Sequence, residues 1–393
     1  MSAAAARRRK QLAAKQGKQD VVGTQLSKIL ESSNEMDEAT AYEAMQLAQS
    51  QVRKKVQANE AADACELCYS TSLALLQKGR VSVASQLLTL LAEVLRETNT
   101  EETEEWITRS VTLHEAHMKA MEGTSAAMPS QEITRLQRLE RDWLLRMLQW
   151  SADLGTVKFG NNRLQEIIGE HCWKLASIEA KDADFDEEAV SELQCDAVQH
   201  MALAEKPLRI IEWLKDLPAP TDEEMKTGHT CPPALRDGLL TRALLLLAAV
   251  ENLRDANALL RAFLAQVETR DVKELATSYT SKEDGKAPSH PMFGCMLMRV
   301  LEKDARTGPL FSWLMRSFKR ELDLLYKPQA LHGFCSKIGK IYFNIQPPPN
   351  MLSMVENMMG MMGGGGMGGL GGPGGINPAM MQALAAQMKQ GGM

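Results

Sequence analysis

Cys65 and Cys68 stand in a C-x-x-C pattern, the spacing used by thiol–disulfide redox pairs and by half of a zinc site. A redox pair needs a helix N-terminus to lower a thiol pKa, and a zinc site needs two further ligands at suitable spacing. Both sulfurs instead fall on the apolar face in the middle of a predicted helix, and the sequence holds no second pair. They read as core packing. His114 and His117 lie on a charged helix and lack the glutamate and the i, i+4 spacing of the zinc-protease motif, so they read as solvated surface side chains. His171 sits on an apolar stripe and reads as a satisfied core residue. The glycine run from Gly363 to Gly375 has no strand before it and no Lys-Ser or Lys-Thr after it, so it is not a phosphate loop. The acidic run from Glu101 to Glu105 reads as the first turn of a helix, where negative charge is favoured. No Ser, Cys or Thr nucleophile has a recognisable partner set. The chain reads as a non-enzyme, with no catalytic residue, no cofactor and no metal.

The elements that carry these residues are helices. From Val21 to Lys206 the sequence holds one proline, Pro129, and apolar residues recur at helical spacing almost throughout. Aromatic residues make up 5% of the chain and strand-like runs of Val, Ile and Thr are scarce. The periodicity predicts about fourteen helices between Thr24 and Phe343. Ala58 to Lys78 places Ala61, Cys65, Cys68, Ser72, Leu75 and Leu76 on one face. After Gly79, Val81 to Glu97 answers with Ala84, Leu87, Leu88, Leu91, Val94 and Leu95. Two amphipathic helices joined by so short a break pack as an antiparallel hairpin. Further stripes are Ile133, Leu136, Leu139, Trp143, Met147 and Trp150, then Leu164, Ile167, Ile168, His171, Cys172 and Leu175, and later Phe311, Leu314, Phe318, Leu322 and Leu325. The hairpins recur without a strict period, and the tetratricopeptide consensus is not met. The predicted fold is therefore all-α, an irregular tetratricopeptide-like α-solenoid of stacked hairpins. Such arrays usually bind other proteins.

Composition bounds the rest. Hydrophobic content of 44% and charged content of 24% predict that most of the chain folds. A net charge of −5 and the lack of a basic stripe with interleaved aromatics argue against nucleic acid. Seven scattered cysteines, an odd number, suit reduced thiols in cytosol. The longest apolar run, Leu244 to Val250, is far too short to span a membrane, so no stable membrane insertion is expected. The expected organisation is a disordered basic tail at 1–22, the N-terminal half of the solenoid at 23–216, a Pro-rich loop at 217–233, the C-terminal half at 234–346, and a Met/Gly-rich tail at 347–393. The first of these is Arg- and Ala-rich like a transit peptide, but it reads better as a solvated tail. The last 43 residues hold 13 glycines and 11 methionines and cannot build a core.

At the seam after Trp150 the chain reads Trp150-Ser151, then Lys158-Phe159-Gly160-Asn161, then Leu164, Ile168 and Gly169. Other stretches accompany it: Tyr42-Glu43-Ala44 with Ala64, Glu66, Leu67 and Leu73 to Leu95; Met292 to Leu301 with Phe311 to Phe318; and Ile338-Gly339 with Tyr342-Phe343-Asn344-Ile345. Their order and spacing resemble the Golgi-to-ER traffic protein 4 family, the helical adaptor of tail-anchored-protein insertion, over roughly Leu26 to Gly360. The resemblance implies an α-solenoid in the cytosol with two working ends. Its N-terminal helices dock the pathway's targeting ATPase. Its C-terminal half holds a ubiquitin-like-domain partner, which recruits a client-loaded tetratricopeptide co-chaperone. Client transfer then becomes local, an effective-concentration effect that needs no catalysis by the adaptor.

By that resemblance Tyr42, Glu43 and Glu93 face the ATPase, with packing inside the hairpin as the alternative for Tyr42 and a solvated face for Glu93; Arg53 and Lys54 are expected there as cations that compensate for departures from the family pattern, a solvated helix face being their alternative. The chain departs from the family pattern at Gln86, where an aspartate is usual, and at Ala48 and Gln49, where Tyr-Arg or Leu-Arg is common. The implied groove for the ubiquitin-like partner draws on Phe293, Leu297, Phe311, Leu314, Phe318, Tyr342 and Phe343, most of them expected to be solenoid core. In the tail, Asn377 to Gln382 resembles the Asn-Pro-Met-Gln segments of client-binding co-chaperones. Met380, Met381, Leu384 and Met388 are accordingly expected to touch client transiently, an inert tail being the alternative. The alternative function is a generic helical-repeat scaffold subunit of another cytosolic complex.

Overall fold

The computed structural model describes residues 23–31, 36–124, 128–181, 186–219, 235–268, 290–303 and 305–346. Segment 1–22, most of the Pro-rich loop and the whole Met/Gly-rich tail, with Met380, Met381, Leu384 and Met388, lie outside the described residues. The described residues form helices and turns with no strand, as the periodicity predicts. In chain order the helices are α1 (23–31), α2 (Glu38–Gln57), α3 (Ala61–Gln77), α4 (Val81–Glu97), α5 (Glu104–Thr124), α6 (Ser130–Leu154), α7 (Asn162–Glu179), α8 (Glu187–Leu203) and α9 (Pro207–Lys215). The C-terminal half adds α10 (Leu235–Ala249), α11 (Leu253–Gln266), α12 (His290–Leu301), α13 (Gly308–Ser317), α14 (Lys319–Asp323) and α15 (Pro328–Phe343).

The first helices of the array pack on their sequence neighbours and on the next but one: α2 on α3 and α4, α3 on α4 and α5, α4 on α5 and α6, α5 on α6 and α7. That is the two-layer stacking of a solenoid. The pairings α8 with α10 and α9 with α11 continue it. The C-terminal half then closes around α10, which touches α8, α11, α12 and α15. A helix buried on every side must be apolar all round, and the Leu244–Val250 run is the sequence of such a helix. Residues Arg236 to Ala249 of α10 are buried, and its charges are satisfied inside. The Arg236 guanidinium pairs with Asp237 at 2.8 Å and lies 5.3 Å over the Phe263 ring, and Arg242 donates to the Tyr326 carbonyl.

One turn recurs between helices. The second residue after the helix takes a left-handed conformation at Asn59 (φ 60°), Gly79 (71°), Asn99 (50°), Glu205 (59°) and Glu251 (66°). The next amide reaches back over the last turn: Glu60 N to Lys55 O and Arg80 N to Leu75 O at 2.9 Å, Thr100 N to Leu95 O at 2.9 Å, and Lys206 N to Met201 O at 3.2 Å. This C-cap satisfies carbonyls that the helix end leaves open. It splits the predicted Ala58–Lys78 helix from α2, because Asn59 is the αL residue of the first turn. Glycine and asparagine accept αL cheaply, whereas a longer side chain is strained there. Glu251→Gly is therefore expected to raise stability by about 0.5–1 kcal/mol, read as a higher urea midpoint, and Asn99→Gly is expected to change it much less.

Candidate functional site

The outward face of α2 begins with its cap. Asp37 accepts from the Thr40 amide at 2.8 Å, which starts the helix and holds the Asp37 carboxyl below its ordinary range. Ala41, Ala44, Met45, Ala48 and Val52 bury one face in the core. The rest of the helix surface therefore points out, and Tyr42 on its flank is 53% exposed rather than packed inside the hairpin. Tyr42, Gln46, Gln49 and Arg53 follow the i, i+4, i+7, i+11 spacing of one stripe. Glu43 and Lys54 flank it, both exposed, with Glu43 accepting from Gln25 at 3.2 Å. Lys55 turns aside to pair with Glu60 and Asp63, each at 3.1 Å.

Glu93 belongs to different ground. It is exposed on α4 and lies 3.4 Å from Arg146 of α6. The two helices bound a cavity of about 470 Å³ lined also by Arg96, Glu97 and Asp153. Arg96 closes one side of it on Asp153 at 2.8 Å. The stripe on α2 and this mixed-charge groove are thus separate features, one apolar-tipped and one ionic.

Below the groove lies the seam that carries the Trp150-Ser151 and Gly160-Asn161 motifs. The buried Trp150 donates from Nε1 to the Thr100 carbonyl at 2.8 Å. Ser151 Oγ accepts from the Asn161 amide at 2.8 Å and bonds to the Glu102 carboxylate, which also accepts from Asn161 Nδ2 at 3.1 Å. Gly160 holds φ 82°, and a Cβ there would stand 2.5 Å from Leu148 Cδ1. The motif therefore latches the α4–α5 turn to the α6–α7 turn. Glu101 to Glu105 divides accordingly: Glu104 and Glu105 do sit in the first turn of α5, but Glu102 precedes it and serves the latch. Its partners are 49 and 59 residues away, so no local pattern marks it.

The histidines correct the sequence reading. His117 is fully buried and the His114 side chain retains 15% exposure, so neither is a solvated surface group. Both face Glu140 of α6, His114 Nδ1 at 3.0 Å and His117 Nε2 at 3.6 Å. The stripe of α5 that looked charged is interrupted just where α6 and α7 cover it. His171 is buried as expected, with Nε2 2.9 Å from the Gln137 carbonyl. Cys65 and Cys68 are also buried, and burial aided by its neighbour's sulfur pushes the Cys68 thiol up to about 12. A thiol held protonated there is core, not a redox pair. Among the described residues no group of three or more His, Cys, Asp or Glu side chains is placed to hold a metal ion.

In the C-terminal half, Phe293, Leu297, Phe311, Leu314, Phe318 and Phe343 are buried. Phe293 packs on Phe318 with ring centres 5.1 Å apart, and Phe311 stacks on Phe343 at 5.0 Å. Tyr342 is half-buried and donates to the Ala248 carbonyl at 3.1 Å. These side chains position the surface. Among the described residues of this half the large apolar groups that reach it are Leu324 after α14 (36% exposed) and, one helical turn apart on α13, Leu310 (54%) and Trp313 (43%). A search for apolar stripes selects the core face of a helix and passes over them. The α13 sequence GPLFSWLMRS does contain more apolar residues than one stripe needs, and that excess is the signal that marks them.

The model of the family described as Golgi to ER traffic protein 4 matches residues 58–364. The Arabidopsis thaliana protein GET4 is 22% identical over 341 residues, covering 83% of this chain and 93% of that one. The crystal structure of C. therm. Get4 covers 91% of this chain and 100% of its own at 17% identity, with a TM-score of 0.49. Among the described residues no helix is long and apolar enough to cross a membrane.

Proposed function

The chain belongs to the Golgi to ER traffic protein 4 family, which acts in the pathway for tail-anchored membrane proteins, and from that premise we propose that it is a cytosolic, non-enzymatic bridge between two partners. The targeting ATPase docks on the N-terminal half, at the α2 stripe of Tyr42, Glu43, Arg53 and Lys54, with Glu93 and its α4–α6 groove as a second, separate contact. The ubiquitin-like-domain partner docks on the C-terminal half, on the α13 surface that Phe293, Leu297, Phe311, Leu314, Phe318, Tyr342 and Phe343 hold in place and that Leu310 and Trp313 present. That partner recruits the co-chaperone carrying client. Donor and acceptor held on one rigid array raise each other's effective concentration.

The observation that carries the ATPase assignment is the outward Tyr42, since a large amphipathic side chain standing off a buried helix is suited to anchoring an interface. Residues 36–57 precede the span matched by the family model, so this assignment rests on exposure and spacing. Tyr42→Ala is expected to weaken binding of the purified ATPase at least tenfold, the loss of one interface anchor, with an unchanged urea midpoint. Titration calorimetry in the presence of ATP is the measurement. Equal affinity in a folded variant would remove α2 from the contact. Failure of the unmutated chain to bind the ATPase would remove the bridge.

A further inference from the structure

The apolar core is continuous through most of the solenoid but breaks where α5, α6 and α7 meet. Val81, Met121 and Leu136 form a small cluster of their own, and Leu175, Ala176, Val190 and Leu193 form another. Between them and the main core lies a polar seam. His114 and His117 of α5 face Glu140 of α6, and His171 of α7 presents its ring edge-on to His114 at 5.8 Å. The carbonyl of Gln137 holds His171. Both ring nitrogens of His117, Nδ1 of His171 and Oε2 of Glu140 are buried without a hydrogen-bond partner. The surrounding charges are Glu115 on α5, Arg141 on α6 and Lys174 on α7, and Arg141 is already paired to Asp196 of α8 at 2.5 Å. Three histidines thus share one buried site with a single buried carboxylate to neutralise them.

The first half of α5 is held differently. Arg109 pairs with Glu66 of α3 at 2.7 Å and lies 4.9 Å over Tyr69 and 4.7 Å over Trp106. Ile107 and Leu113 enter the main core. After His114 the contacts change: His114 and His117 face the polar seam, Met121 packs with Val81 and Leu136, and Ala116 is partly buried against the main core.

We propose that this seam is a proton-operated joint: on acidification the second half of α5, from His114 onward, lifts from α6 and α7 and uncovers the apolar Val81–Met121–Leu136 patch, while the first half stays on α3. This goes beyond the bridging function and does not depend on it. The physical cause is a difference in proton affinity between closed and open seams. Burial holds His114 and His171 down to about 4 and lowers His117, whereas in the open seam each regains its ordinary value near 6.5. Glu140 opposes them, because burial raises it to about 7 and protonation suits the closed seam. Between pH 7.5 and 5.5 His114 and His171 each favour opening roughly tenfold, His117 acts in the same direction, and Glu140 disfavours it roughly twentyfold.

Hydrogen exchange of the full chain, expressed as protection relative to intrinsic rates, tests this at pH 7.5 and 5.5. Amides 114–123 are expected to lose roughly tenfold more protection at pH 5.5 than amides 104–112. Glu140→Gln removes the opposing proton and is expected to widen that loss to roughly a hundredfold or more, with the closed state kept at pH 7.5. The double variant His114→Gln, His171→Gln is expected to abolish it. Uniform loss along α5 in the wild-type chain, or a Glu140→Gln response equal to wild type, overturns the joint, and the second outcome decides even if the histidine variant does not fold.

Discussion

Trp150→Ala is expected to lower the unfolding free energy by about 3–5 kcal/mol, among the largest effects a single substitution in this chain produces. Trp150 is fully buried, so truncation removes its apolar area and leaves a cavity between α4 and α6. The same change frees the Thr100 carbonyl from its 2.8 Å bond. The two losses separate in Trp150→Phe, which keeps most of the ring volume but not the donor. That variant is expected to cost about 1–3 kcal/mol. Urea midpoints at constant slope measure both. A Phe variant as damaged as the Ala variant would mean that the hydrogen bond, not the packing, holds the seam. An Ala variant within about 1 kcal/mol of wild type would mean that the latch does not hold the two turns together.

This seam shows how far the sequence speaks. The helices and their buried faces are written locally, because a 3.6-residue period needs nothing beyond one segment: α4 spans Val81–Glu97 as its pattern predicts, and Leu87, Leu88, Leu91 and Leu95 are all buried. The latch is not local. Trp150, Ser151, Gly160 and Asn161 stand out as a motif, yet Glu102, which binds two of them, looks like one more acid before a helix. The histidines fail for the same reason. His114 and His117 share a helix with Glu115 and Lys119, so their own segment reads as solvated, and only α6 and α7 lying over them make the face an interior. Turns at Glu205 and Glu251 are hidden in another way, since glutamate is not the residue that a left-handed cap calls for. Exposure is the inverse problem. The stripe that buries Phe311 and Leu314 does not tell which surplus apolar residue faces outward, and Trp313 is found only once α13 is docked.

Acidification from pH 7 to pH 5 is expected to lower the stability of the whole chain by a few kcal/mol. Four histidines are responsible. His114, His171, His200 and His290 are each held down to about 4, chiefly by burial, against an ordinary value of 6.5. Two belong to the α5–α7 seam. His200 lies 2.6 Å from the Gln165 side chain, and His290 lies 3.1 Å from the Thr241 hydroxyl. Between pH 6.5 and 4 the unfolded chain takes up protons at these sites that the folded chain refuses. Stability therefore is complete above 6.5 and falls as pH drops through that window, by at most about 1.4 kcal/mol per unit and per group. Glu140 works the other way. Its carboxyl, raised to about 7, binds a proton in the folded chain before the unfolded one does, so its contribution weakens as pH rises from 4.5 to 7. Four groups outweigh one, and the urea midpoint is expected to be lower at pH 5 than at pH 7. The carboxyls of Asp37, Glu132 and Asp323 do not alter the sign, because hydrogen bonds hold them below the ordinary carboxylate range and whatever stability they contribute is likewise lost as pH falls. Glu140→Gln isolates the opposing group: the variant is expected to be more stable than wild type at pH 7.5, where it spares the fold a buried charge, and to lose stability more steeply on acidification. A midpoint at pH 5 equal to or above that at pH 7 would mean that the four imidazoles are not shielded from protons in solution.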